Sequence, residues 1–308
     1  MRHLLLLPIL FSAVLACRSA SPSSGSDSGP AIRKGVKLVA ADVTPLSADA
    51  KPEASLAERT VLADVRLGDP LSVRLHGQGP FRFGFDTGQS VAVLLSPELA
   101  GRLALPVVEK IHASDGTSSL PVDVVRIDSV EVGGVDLGGQ TSIVLQPGTD
   151  VDGAIGFPLF SGLLVELDYA GGRLRVLRGE LPEPDGRKVL ALTNLQGIPM
   201  VPIAIGGETL QAVLDSGSEA DLLVPMSMVG KLPLESPPVK SGRMSTLFGE
   251  FDLYTARLKG RVTLGGIELV DPELTFSDHF REVNVGGHFL ARFRVTFDPA
   301  RKRVQFEA

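Results

Sequence analysis

An apolar run ending in Asp, a hydroxyl residue and Gly occurs twice in this chain. The copies are Phe83-Gly84-Phe85-Asp86-Thr87-Gly88 and Ala212-Val213-Leu214-Asp215-Ser216-Gly217. Each reads as a buried strand that delivers one carboxylate into a tight turn. Gly would supply backbone freedom there, and Thr or Ser a local hydrogen bond. A single tripeptide of this kind is common, so the flanking sequence decides whether the pair has meaning.

Aligning the chain on itself gives the answer. Asp86 and Asp215 are 129 residues apart, and Gly77-Gln78-Gly79-Pro80-Phe81 falls on Gly206-Gly207-Glu208-Thr209-Leu210 at the same offset. Downstream, Ala154-Ile155-Gly156 corresponds to Asn284-Val285-Gly286, with Asp-to-Gly spacings of 70 and 71 residues. The strands ending at Asp168 and Asp298 follow, at Asp-to-Asp spacings of 82 and 83. Landmarks held to one residue over about a hundred positions mark a duplication.

The paired motifs and the two Gly turns resemble the retropepsin-like/pepsin-like aspartic protease family, in a bacterial two-lobed single-chain form. The resemblance covers roughly Val61 to Phe306. It implies an all-β fold, with two homologous retropepsin-like β-barrel lobes in a pepsin-like bilobal arrangement around an interlobe cleft. The first lobe is expected over 61–181 and the second over 182–308. It also implies an aspartic endopeptidase in which Asp86 and Asp215 activate a water as nucleophile, with no cofactor and no metal. Thr87 and Ser216 resemble the family's hydrogen-bonding pair across the lobes, and Gly88 and Gly217 would permit the turns. Two carboxylates that close cannot both ionise cheaply and share a proton, a coupling for which aspartic proteases are the standard illustration. Asp168 and Asp298 precede turn sequences and are expected to shape turns, not to catalyse.

One position departs from the family pattern. A small residue is usual directly after the motif's Gly; Ser218 conforms, but the first copy has Gln89. Its amide could crowd the water, bond to Asp86, or point away with Ser90 in the polar place. An alternative reading follows: a catalytically weak or inactive protease-fold lipoprotein that binds peptides. A structural or assembly lipoprotein is a further rival. Hairpins closing over the site are expected near Ser114-Asp115-Gly116-Thr117 and near Thr246-Leu247-Phe248-Gly249-Glu250. Neither carries the Tyr of pepsin-like flaps.

The rest of the chain fits an all-β body. Gly numbers 34 and Pro 22, Trp is absent, and short alternating runs recur between turn signals. Examples are Leu71–Leu75, Val125–Ile127, Leu174–Val176 and Val262–Leu264. Gly133-Gly134, Gly138-Gly139, Gly171-Gly172 and Gly265-Gly266 read as hairpin turns. A helix is expected from Pro97 to Leu103, with Ser96 as N-cap and Pro97 in first position. The lobes should join near the Pro-rich Leu181–Gly186. The five histidines have no metal-ligand spacing. A net charge of −6 with no basic run argues against nucleic acid as a partner.

Residues 1–17 read as a signal peptide: Arg2 and His3, then an apolar run too short to span a bilayer, which takes about 20 residues. Val14-Leu15-Ala16-Cys17 resembles a bacterial lipobox, so lipid attachment is expected at Cys17, the single cysteine. Residues 18–60 read as a flexible tether and N-terminal segment, rich in Ser, Gly and Pro at first, in which Val36–Val43 could add a strand. The expected location is the bacterial cell envelope, the outer membrane ahead of the inner, with the body facing periplasm or surface. Partners would be a peptide or protein substrate and the membrane through the lipid; the duplication supplies both halves of a site, so a monomer is expected.

Overall fold

The computed structural model describes residues 44–45, 59–67, 70–114, 118–147, 150–195 and 197–308. The signal peptide with Cys17, nearly all of the tether, Val36–Val43 and the first hairpin's turn residues 115–117 lie outside the described residues.

The two halves of the duplication fold alike. In the first, the strand Gln78–Asp86 runs parallel to Gly153–Gly156 and places Asp86 opposite Gly156. In the second, Glu208–Asp215 runs parallel to Val283–Gly286 and places Asp215 opposite Gly286. The conserved Asp-to-Gly spacing is therefore a strand register. A further strand in each half, Val93–Leu95 or Leu222–Pro225, pairs antiparallel to the Gly strand. At the strand ends only Gly fits. A Cβ on Gly156 would lie 2.3 Å from the carbonyl oxygen of Val91, and one on Gly286 2.1 Å from that of Ala220. Both obstacles are backbone atoms. Gly286→Ala is expected to cost about 1–3 kcal/mol or more, as overpacking does, read as a lowered thermal midpoint; an unchanged midpoint would refute the register argument.

The alternating pattern sorts side chains to two faces of these strands. Phe81 and Phe83 are buried in the core, while Arg82 on the other face is exposed. One continuous apolar core runs through both halves, from Leu71 and Phe83 to Phe297 and Phe306. The helix forms as expected, over Pro97–Arg102, and the Ser96 hydroxyl accepts from the Leu99 N–H at 3.1 Å.

The lobes are joined by a six-stranded sheet ordered Val189–Ala191, Arg303–Glu307, Arg294–Asp298, Leu164–Asp168, Arg173–Arg178, Thr60–Arg66. At its centre, Leu164–Asp168 pairs antiparallel with Arg294–Asp298, Leu167 facing Val295. Phe157 of the first half meets the Phe297 ring edge-on at 5.5 Å. Asp168 and Asp298 shape the turns that follow them, accepting from Gly171 N–H at 2.8 Å and Arg301 N–H at 3.0 Å.

The two homologous β lobes are present as expected, with sheets that stay open at their edges. The nine-stranded sheet of the first half ends at two separate edges, Val107–Ser114 and Val135–Asp136. The strands after each Gly turn leave their lobe to build the shared sheet, so they are not available to close a barrel. Gly138-Gly139 is not a hairpin turn. The strand after it, Gln140–Val144, bypasses Val135–Asp136 and pairs with Ser119–Ile127 and Val93–Leu95. Gly133-Gly134, Gly171-Gly172 and Gly265-Gly266 do turn hairpins.

Candidate active site

Asp86 and Asp215 end the two equivalent strands, and the structure brings them face to face where the lobes meet. Asp86 is 1% exposed and Asp215 0%. Each carboxylate folds back on its own turn: Asp86 Oδ1 accepts from Gly88 N–H at 2.7 Å, and Asp215 Oδ1 from Gly217 N–H at 2.9 Å. The turns are locked by reciprocal bonds across the junction. Thr87 N–H donates to Ser216 Oγ at 3.0 Å, and Ser216 N–H donates to Thr87 Oγ1 at 2.9 Å. Thr87 Oγ1 also donates to the Leu214 carbonyl at 2.6 Å. The hydroxyls thus bond between lobes rather than within their own turns.

Gly217 serves space, not backbone freedom. Neither Gly88 nor Gly217 adopts a positive φ. A Cβ on Gly217 would fall 2.5 Å from the carboxyl carbon of Asp86, so any side chain there would push the two acids apart.

Electrostatics follow from this closeness. Burial, and then the charge of Asp215 beside it, push the Asp86 carboxyl well above its ordinary value of 3.8; the N–H groups of Gly88 and Gly217 pull the other way and are outweighed. A hydrogen bond between the two carboxyls, which needs a proton on one of them, raises the Asp86 value further.

Gln89 points away from Asp86. It is buried, its Nε2 donates to the Val91 carbonyl at 2.8 Å, and it packs beside Gly156. Ser90 does not take the polar place: its Oγ is buried with no hydrogen-bond partner among the described residues. Gln89 thus braces the loop that Gly156 packs against. Gln89→Ser is expected to cost about 1 kcal/mol through the lost hydrogen bond and packing, with no change in how the acids sit. A rise in any activity of Gln89→Ser would contradict this.

Two residues not singled out in the sequence lie at the site. Asn284 is 2% exposed, and its Nδ2 donates to Asp215 Oδ2 at 2.6 Å. The signal was a polar residue in a slot that is apolar in the other copy, Ala154. Tyr169, in the turn after Leu164–Asp168, has its hydroxyl buried without a partner among the described residues. Burial first, then the charges of Asp215 and Asp86, raise its pKa. A cavity of about 500 Å³ borders the site, lined in part by Arg82, Gly84, Phe85, Tyr169 and Ser216.

Both expected hairpins are present. Val107–Ser114 pairs with Ser119–Ile127, and Val239–Thr246 with Gly249–Arg257 around the turn Leu247-Phe248. That turn reaches across to the first lobe, where Leu247 and Phe248 pack on the apolar cluster of Leu94, Ala113, Val122, Val124, Ile143 and Ala154. Among the described residues no group of three or more His, Cys, Asp or Glu is placed to hold a metal ion.

No curated protein matches the chain at a significant level. A family model described as aspartyl protease matches twice, over residues 71–159 and 201–289. Each match begins at or just inside a lobe's first long hairpin and takes in its Asp turn and its Gly turn. Together they span more than half of the sequence, in the two halves that the structure superposes by topology. The chain therefore belongs to the aspartyl protease family, with one family unit in each lobe.

Proposed function

We propose that this protein is an aspartic endopeptidase with Asp86 and Asp215 as its catalytic dyad. The observation that carries the reading is the pair of buried carboxyls on mirrored turns, close enough to share one proton and locked by the Thr87–Ser216 bonds. One proton between two acids gives one base and one acid. The base takes a proton from a water as its oxygen attacks the peptide carbonyl carbon. The acid gives its proton to the carbonyl oxygen. The base's new proton then passes to the amine nitrogen as the C–N bond breaks, and the acid recovers its own from the hydroxyl. Fixed dipoles and excluded bulk water are what make such transfers efficient.

Thr87, Gly88, Ser216 and Gly217 serve this chemistry by holding the acids in place. The orientation of Gln89, bonded to the Val91 carbonyl and not to Asp86, supports the cutting reading over the peptide binder. Lipid attachment at Cys17, a site in the bacterial cell envelope and a monomeric state belong to the same proposal, supported by the lipobox-like Val14-Leu15-Ala16-Cys17 and by the presence of both half-sites in one chain.

The test is digestion of a peptide mixture by the purified protein from acidic to neutral pH, with products identified by mass spectrometry. Internal cuts are expected. A folded protein that cuts nothing at any pH would overturn the enzyme and leave the peptide binder.

A further inference from the structure

The two carboxyls are equivalent by duplication but not by surroundings. In each, Oδ1 is held by the Gly N–H of its own turn. The second oxygens differ. Asp215 Oδ2 receives Asn284 Nδ2 at 2.6 Å, both residues being buried. Asp86 Oδ2 is buried and has no equivalent side-chain amide donor among the described residues, because the residue equivalent to Asn284 is Ala154; what it faces is the Asp215 carboxyl. The strand pairing makes the comparison close: Asn284 lies beside Val213 as Ala154 lies beside Gly84.

Each donor to a carboxylate favours its charged form, and the buried carboxyl with fewer donors leans toward its neutral form. The amide's orientation is tied to the charge. Turned over, Asn284 would set Oδ1 against Asp215 Oδ2, which is repulsive unless Asp215 is protonated. In the orientation seen, no donor among the described residues reaches Asn284 Oδ1. The amide thus leaves its own acceptor unmatched in order to serve Asp215.

We infer that Asn284 is a positioning residue that fixes the charge on Asp215 and the proton on Asp86, so that Asp215 is the base toward water and Asp86 the acid toward the carbonyl oxygen. The inference builds on the dyad proposed above and adds a role for each acid. The raised pKa of Asp86 agrees with it. Titratable groups that face Asp215 include Asp86, from the strand Gln78–Asp86, and Tyr169, from the turn after Leu164–Asp168. Tyr169 stays neutral through the range in which carboxyls titrate, so it does not oppose the asymmetry that Asn284 sets.

The experiment is a carbon-13 NMR titration of the full chain labelled at the Asp side-chain carboxyl. Asp86→Asn and Asp215→Asn assign the two signals, and Asn284→Ala is the test variant. In wild type, Asp215 is expected to ionise at lower pH than Asp86. In Asn284→Ala the Asp215 midpoint should rise by about 1–2 pH units, the worth of one hydrogen bond to a charged group. The acid limb of any cleavage rate should rise with it, in kcat rather than KM. Asp86 ionising first in wild type would overturn the inference without need of the variant. So would an unmoved Asp215 midpoint in Asn284→Ala. Because the titration needs no turnover, an ordered pair in a protein that cuts nothing would sink the endopeptidase reading, and the base and acid roles with it, and leave standing only the charge order that Asn284 sets.

Discussion

Asp86→Asn is expected to leave the protein inert toward peptides and more stable at neutral pH than wild type. Loss of one acid–base partner costs about 10²–10⁴ in rate for each proton transfer it serves, and here both transfers need the pair. The stability change follows from linkage. In the folded protein burial and Asp215 hold the Asp86 proton well past the ordinary value of 3.8. Between that value and the raised one, the folded state binds more protons than the unfolded chain does. Stability therefore falls as pH rises through that window and levels off above it. Asn cannot ionise, so the variant escapes the loss. Thermal midpoints of wild type and Asp86→Asn should converge at strongly acidic pH and separate toward neutrality, with the variant higher. A variant that melts below wild type at neutral pH would refute the raised carboxyl.

The second large effect is on the bonds that join the turns. Thr87→Val keeps the shape and removes the hydroxyl. It leaves the Ser216 N–H without its acceptor and the Leu214 carbonyl without its donor, at a residue that is 0% exposed. Each buried unsatisfied group costs about 1–3 kcal/mol, so the expected destabilisation is about 2–6 kcal/mol. Ser216→Ala should cost less, about 1–2 kcal/mol. Its hydroxyl accepts from Thr87 N–H and borders the cavity, where water can reach the freed group. Denaturant unfolding of both variants measures this order. Equal costs, or a larger one for Ser216→Ala, would show that the lobes are not locked chiefly through Thr87.

Much of the fold was legible because the duplication repeats registers as well as residues. The spacing from Asp86 to Gly156 and from Asp215 to Gly286 is a pairing across parallel strands, and such a pairing cannot drift without losing the turn. Ser96 and Pro97 marked the helix through local chemistry alone. The shared sheet was not legible. Alternation in Leu164–Asp168 says that its residues face two ways, but not that the next strand over is Arg294–Asp298. Gly138-Gly139 misled for a related reason: a Gly pair marks a turn in the chain, and which strand receives it is settled by tertiary packing.

At the site, Asp86, Thr87, Asp215 and Ser216 were readable from the motif. The role of Gly217 was misread, since the constraint is the Asp86 carboxyl against it and not its own φ. Asn284 and Tyr169 contribute through the space between distant segments, which one-dimensional spacing does not encode. The placement of Gln89 depended on a side-chain direction that two neighbouring carbonyls decide.

The most direct test of the account is one digestion run three times, with wild type, Asp86→Asn and Asp215→Asn, each first confirmed as folded by its melting transition. Internal cuts by wild type and none by either variant are expected. Cutting that survives in one folded variant would contradict the shared-proton dyad, since a single carboxylate would then suffice.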